Sequence, residues 1–498
     1  MNVRLIALAA LAATGSAQAA LITPAQLDAA RAANTLKEYR IFGASAQSRM
    51  IGAYMKSICN AGDFTTYFDT TAGSLHRGYA CTLSKKVGPH AIGTMIFVNK
   101  REAGGSILGV NPIAKNTPQN AMQVTAASGC VVTGLPADVN SAAYTCNQVA
   151  LQTGHAGISD VEPARFSDLV TVDGVSVPLN LPPGNDDNGT PWAVLTTTEQ
   201  NALDVAAINQ TLFGIGVNLN LRNAMQAAQG LTVGSEAAAD VPSMPRAFYA
   251  AAIAGYVRGG STNATWKTLT GAAGDENKQV NICRRVNGSG TQASSNLFFA
   301  EAATITSDAN GMLFPLTATG ALAINGTLAV IEGSGTGNVE SCLTSATLGS
   351  TGYAMGVVSY EVDPGTKAYR FVKIDGAAPD KALARIGGYP FVYSASMQYK
   401  KTGAGALTTE QKGFINAMRT QLTTPVIIAG LDASPRKGVM AGPGSYTANC
   451  ADAAGAPKTD GSCVERLDFK SLFNANTYLN GEATAFKTNS KQPLHIVK

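Results

Sequence analysis

The sequence predicts an α/β fold, and three observations carry that prediction. Short apolar runs alternate with helical stretches along the chain, several of those runs lead straight into loops of Gly, Ser and Thr, and helices follow the loops directly. Pro24 to Lys37 reads as a helix and Glu38 to Phe42 as a strand, which passes through Gly43-Ala44-Ser45-Ala46-Gln47-Ser48 into a helix from about Met50 to Ile58. A second strand is expected over Phe64 to Asp69, ending in the hydroxyl-rich loop Thr70-Thr71-Ala72-Gly73-Ser74. Ile92 to Asn99 is a third. The Gly-, Asn- and Ser-rich passage after it reads as an elaboration outside the core.

Farther along, Pro182-Pro183-Gly184-Asn185-Asp186-Asp187-Asn188-Gly189 marks an exposed excursion by its turn residues. Leu212 to Leu219, Lys278 to Arg285, Gly352 to Tyr360 and Pro390 to Tyr399 have strand character. Pro245 to Val257 and Thr408 to Leu422 have helical character.

The ends of the chain and its composition set the compartment. Arg4, the apolar run Leu5 to Thr14 and the small residues Ala17 and Ala19 form a signal-peptide pattern with cleavage after Ala19, so the mature chain is expected in the periplasm or outside the cell. No later apolar run reaches about 18 residues, so membrane insertion is not expected once the signal is removed. Eight cysteines in an exported chain suggest disulfides, with free buried cysteines as the alternative. Proximity favours Cys59 with Cys81, Cys130 with Cys146, Cys283 with Cys342, and Cys450 with Cys463. Lys and Arg total 37 against 33 acids, spread along the chain, which argues against nucleic acid as the partner.

The most informative stretch is Cys283-Arg284-Arg285-Val286-Asn287-Gly288-Ser289-Gly290-Thr291, running into a helix-like segment, Gln292 to Ala300. Backbone N–H groups at a helix start, two hydroxyls and an arginine fork can replace the water around a small oxyanion. The same residues also read as a plain turn beside a solvated charged face. The histidines 76, 90, 155 and 495 are too scattered for a metal motif, and no Gly-x-Ser-x-Gly spacing marks a serine nucleophile. Neither a metal nor another cofactor is therefore expected. His76 and His155 read as structural rather than ligand-touching.

Several motifs fall in a recognisable order. Gly43-Ala44-Ser45, Thr71-Ala72-Gly73-Ser74, Gly157-Ile158-Ser159-Asp160, Arg285 to Thr291, Gly335-Thr336-Gly337-Asn338-Val339, Gly352-Tyr353 and Tyr389-Pro390 follow one another across residues 40 to 425. In this the chain resembles the phosphate-binding proteins of ABC importers, within the type II periplasmic-binding fold. The resemblance implies two α/β lobes, the first discontinuous, with hinge strands near Leu212 to Leu219 and Gly352 to Tyr360. Residues 20–217 would open lobe one, with an insertion at about 90–155. Lobe two would span 218–354, and 355–498 would return to lobe one and add a C-terminal extension. The resemblance further implies capture of inorganic phosphate or a similar oxyanion without catalysis, with an inner-membrane ABC transporter as a possible partner.

Motif by motif, the ligand-binding residues it implies are Ser45, Ser74, Asp160, Arg285, Ser289, Gly290 and Thr291. Asp160, an acceptor only, would take the ligand's proton and repel sulfate, or would simply cap the segment after it. Asn287 stands where the family carries Asp, and Arg284 competes with Arg285 for the ligand-facing place. Extra sequence at 90–155, 180–210 and 430–498 leaves open an extracellular structural or interaction protein with an altered ligand, and, more remotely, a phosphatase.

Overall fold

The computed structural model describes residues 21–431 and 437–441, apart from 71–74, 173–174, 263, 301–303, 306–320, 325–327, 346–347, 349–351 and 386–387. The signal-peptide pattern, Ser74 and the expected Cys450–Cys463 pair lie outside the described residues.

A large mixed sheet organises the described residues. Its strands are β1 (Lys37–Gly43), β2 (Met95–Arg101), β3 (Ala156–Ser159), β4 (Leu203–Asn218), β5 (Val280–Arg285), β6 (Leu328–Gly333), β7 (Ala354–Ser359) and β8 (Val392–Lys400), flanked by short edge strands. Their spatial order is β6-β5-β7-β4-β8-β3-β1-β2, continuing through His76–Thr82 and Thr65–Phe68. This is the α/β class expected, divided into two halves by β4. Leu203 to Leu212 pair with β8, whereas Phe213 to Val217 pair with β7.

Each half contains parallel strands. β1 runs parallel to β2 and β3, and β5 runs parallel to β6 and β7. Helix α1 (Ser48–Ile58) follows β1, α2 (Gly290–Ser295) follows β5, and α3 (Thr336–Leu343) follows β6. Helix α4 (Thr409–Leu422), capped reciprocally by Thr408 and Gln411, covers the first half together with α1.

Several sequence expectations shift. Helix Pro24–Ala32 is shorter than expected, because Asn34 takes a left-handed φ of 53° that ends it. Met95–Arg101 is a central strand, and Ile107, Leu108, Val110 and Ile113 beyond it are buried, so the region from residue 95 to 114 is core and not elaboration. The hinge strand begins nine residues before Leu212. The return crossing comes later than residue 355, since Tyr369–Phe371 still pairs with the far end of β4 and the chain rejoins the first half only at Val392.

Three disulfides close within the described residues, Cys59–Cys81, Cys130–Cys146 and Cys283–Cys342, as proximity suggested. The last ties β5 to α3 inside a small apolar cluster with Val339, Leu343 and Tyr369. No helix among the described residues is long and apolar enough to cross a membrane.

Candidate oxyanion site

The carboxyl ends of β1, β2 and β3 in one half and of β5 and β6 in the other lead into the residues of interest, the usual place for a ligand in parallel α/β sheets. Close backbone approach builds the first-half side. A β-carbon on Gly157 would run into the Gly109 carbonyl, so only glycine lets the turn Ser106–Gly109 lie against β3. That turn brings the Ser106 hydroxyl to the start of the next segment, where it accepts from Asp160 N at 3.1 Å.

Asp160 is 2% exposed, and its Oδ1 has no hydrogen-bond partner among the described residues. Burial pushes its pKa up to about 6, while Arg285 and Lys100, and the Gln47 and Ser106 side chains, pull it back down. It does not cap the 3₁₀ segment Pro163–Ser167, whose capping position is Glu162. A buried, half-satisfied carboxylate facing cations has the chemistry of an acceptor awaiting a donor.

The two arginines separate as alternate residues of a strand should. Arg284 turns to Glu332, with its Nη2 2.6 Å from the carboxylate, and also donates to Asn287 Oδ1 at 2.9 Å. Arg285 faces the other way. Its Nη2 donates to Ser334 O at 2.8 Å and its Nη1 to Thr336 Oγ1 at 3.3 Å, with Ser45 Oγ at 3.5 Å. It is 2% exposed, and its Nε has no partner among the described residues. Burial draws its pKa down to about 10, opposed by Asp160 and then Glu102. Asn287 therefore orients Arg284 and leaves Arg285 alone, while its own amide donates to Leu179 O at 3.0 Å.

The glycine-serine turn follows. The first helical bond of α2 runs from Ala293 N to Ser289 O, so the N–H groups of Gly290, Thr291 and Gln292 have no acceptor within the helix. Gly290 lies directly against Asp160 and Ser106. Ser289 and Thr291 are buried in the same turn. This turn is held from the first half. Ile107 N donates to Gly288 O at 2.8 Å, Gly288 N to Asn180 O at 2.9 Å, and Asn296 Nδ2 to Asn180 Oδ1 at 3.0 Å.

Ser45, Asp160, Arg285 and Gly290 thus come together, with Ser289 and Thr291 beside them. The sequence reading missed Ser106, Gln47, Lys100 and Thr336. Ser106 had a visible signal, since Gly104-Gly105-Ser106 follows an apolar strand just as the Ser74 loop does. The histidines have structural partners: His76 with Asp69 at 3.0 Å, His90 with Tyr39 at 2.6 Å, and His155 accepting from Arg40 N at 3.0 Å. Burial, then Arg40, holds His155 neutral by lowering its pKa to about 3. Among the described residues no group of His, Cys, Asp or Glu stands close enough to hold a metal ion.

No family model matches the chain, and no curated protein does. Solved structures similar to it include a Clostridium perfringens protein with bound phosphate, named as a phosphate ABC transporter substrate-binding protein. It is 13% identical over 77% of this chain and 93% of that one, with a TM-score of 0.37. An ABC-type phosphate transport receptor from Vibrio cholerae is 12% identical over 78% and 96%, with a TM-score of 0.36. PstS from Borrelia burgdorferi is 10% identical over 77% and 92%, with a TM-score of 0.33.

Proposed function

We propose that this protein is a solute-binding protein that captures inorganic phosphate, or a related oxyanion that carries a proton, between its two halves without transforming it. The observation that carries this reading is the opposite buried charges of Asp160 and Arg285, each of which favours the ionised form of the other. Both are buried, they come from opposite halves, and each has a polar atom, Oδ1 and Nε, with no partner among the described residues. Arg285, Ser45, Ser106, Thr336 and the free amides of Gly290 and Thr291 supply donors, and Asp160 supplies one acceptor. Monohydrogen phosphate offers both kinds of group, whereas sulfate offers no proton to Asp160. Disulfides fit an oxidising compartment, and delivery to an ABC transporter is the role such capture would serve.

Thermal unfolding of ligand-stripped protein across phosphate, sulfate, phosphonates and phosphomonoesters tests this. A hundredfold excess over Kd stabilises by about 2.7 kcal/mol. A phosphate-selective shift that disappears in Arg285→Ala supports the reading, and a shift that survives that substitution contradicts it.

A second reading, an extracellular interaction protein on the same fold, is favoured by the backbone bonds of Gly288 to Ile107 and Asn180, which join the halves directly. Indifference of the melting temperature to every oxyanion would favour it.

A further inference from the structure

Lys100, on β2, is wholly buried. Its ammonium donates to Gly43 O at 2.6 Å and to Arg101 O at 2.9 Å, which occupies two of its three donors. Gly43 ends β1, two residues before Ser45, and it pairs in register with Ile158, two residues before Asp160. One ammonium therefore pins the end of β1, from which Ser45 departs, and Gly43 in turn lies in register beside the strand that leads to Asp160.

Its charge also needs an answer, since an uncompensated ammonium in a protein interior is costly. Against that burial the negative charges of Glu102 and then Asp160 favour the ammonium, and the positive charges of Arg77 and Arg101 disfavour it. Glu102 is held by Arg77, Nε to Oε1 at 2.7 Å. The charges of Arg285 and Lys100 both favour the ionised form of Asp160, while the buried Glu361 is drawn down by Arg49 and pushed up by Asp160 and Glu102. Lys100 and Arg285 are thus the cations answering Asp160, one from each half.

We propose that Lys100 is a positioning residue of the oxyanion site, fixing the turn that carries Ser45 and supplying the charge that keeps Asp160 an acceptor, so that Lys100 sets which protonation state of the ligand is taken. The inference rests on the oxyanion-binding reading above. An ionised Asp160 accepts the proton of monohydrogen phosphate; a protonated one donates, and tolerates sulfate. Without Lys100, Asp160 is protonated at a higher pH, and the preference for phosphate weakens.

The test is calorimetric titration of ligand-stripped protein with phosphate and with sulfate over a pH series, for the natural chain and for Lys100→Met, Lys100→Gln and Lys100→Arg. In Lys100→Met, and in Lys100→Gln, which retains a donor for Gly43, the phosphate-over-sulfate ratio should fall about tenfold at neutral pH, and the acid limb of the profile should move up by about one pH unit. Lys100→Arg should restore both. Folded neutral variants with the natural ratio and profile would overturn the inference and leave phosphate capture standing. A natural chain that binds neither anion would instead fail the capture reading itself.

Should neither neutral variant fold, the alkaline limb decides. Lysine discharges there and arginine does not. Burial draws the Lys100 ammonium down to about 8, so phosphate affinity should fall about threefold between about pH 7 and 9 in the natural chain, below the range where Arg285 discharges, and stay level in Lys100→Arg; level profiles in both overturn the proposal.

Discussion

Gly290 packs so tightly on Asp160 that a β-carbon at position 290 would stand 2.7 Å from the aspartate Cβ and 2.9 Å from its Oδ2, with Ser106 Oγ closer still. Those atoms cannot all give way, because Ser106 is tied to Asp160 N and Asp160 is walled in. Gly290→Ala should therefore push α2 away from the first half. We expect a loss of about 1–3 kcal/mol in stability, typical of overpacking, and a phosphate affinity at least about tenfold weaker. Denaturant unfolding and calorimetry measure the two effects, and an unchanged affinity would place the anion elsewhere.

Asp160→Asn should separate binding from stability. In the fold burial pushes the Asp160 carboxyl up to about 6 from its ordinary 3.8. Between those values the folded chain holds a proton that the unfolded chain has released, so this group's contribution to stability falls as pH rises through the window, and the penalty is complete above it. Asparagine escapes that penalty. The ligand-free variant should be more stable than the natural chain at neutral pH, by a margin on the order of 3 kcal/mol at most, and equal to it near pH 4, while its phosphate selectivity is lost. Urea unfolding at the two pH values provides the check, and a variant less stable at neutral pH would contradict the account.

The neighbouring arginines should fail in different ways. Arg284→Met strands Glu332 in the interior and should cost about 3–5 kcal/mol of stability, with affinity in the folded fraction nearly intact. Arg285→Met should cost about 2–5 kcal/mol of binding energy. Measuring unfolding and phosphate affinity on both variants distinguishes them, and a reversed pattern would mean that Arg284 meets the ligand.

Replacing Cys283 and Cys342 by alanine should lower stability by about 2–4 kcal/mol. It should also weaken binding, because the bond ties β5, which carries Arg285, to α3, which begins at Thr336. A ligand-induced melting shift reduced in the double variant is the expected reading. A shift equal to that of the natural chain would mean the bond is structural alone.

What the sequence disclosed was local. Gly43 to Ser48 and Arg285 to Thr291 were legible because turn residues interrupt apolar strands and open helices directly. The first part of β4 was not, since Asp204, Ala206, Ala207 and Gln210 have little intrinsic strand preference and become strand by pairing with β8. Composition alone does not single out Gly104-Gly105-Ser106, and its meeting with Asp160 depends on β2 lying beside β1, a long-range fact. Lys100 looks like any charged residue at a strand end until the sheet encloses it. The partners of Arg284 and Arg285 likewise depend on β6 lying beside β5, which sets Glu332 next to Arg284 and brings Ser334 and Thr336 to Arg285.

Leu179 and Asn180 hold Asn287, Gly288 and Asn296 from the first half. The ribosome makes that holding segment well before the turn it holds, so a nascent chain has the template in place when the glycine-serine turn emerges. The converse follows for dissection of the gene. A fragment beginning at β4 would retain Arg285 and the whole turn, yet lack the scaffold that shapes them, and it should emerge as a poor receptor even if its own strands assemble.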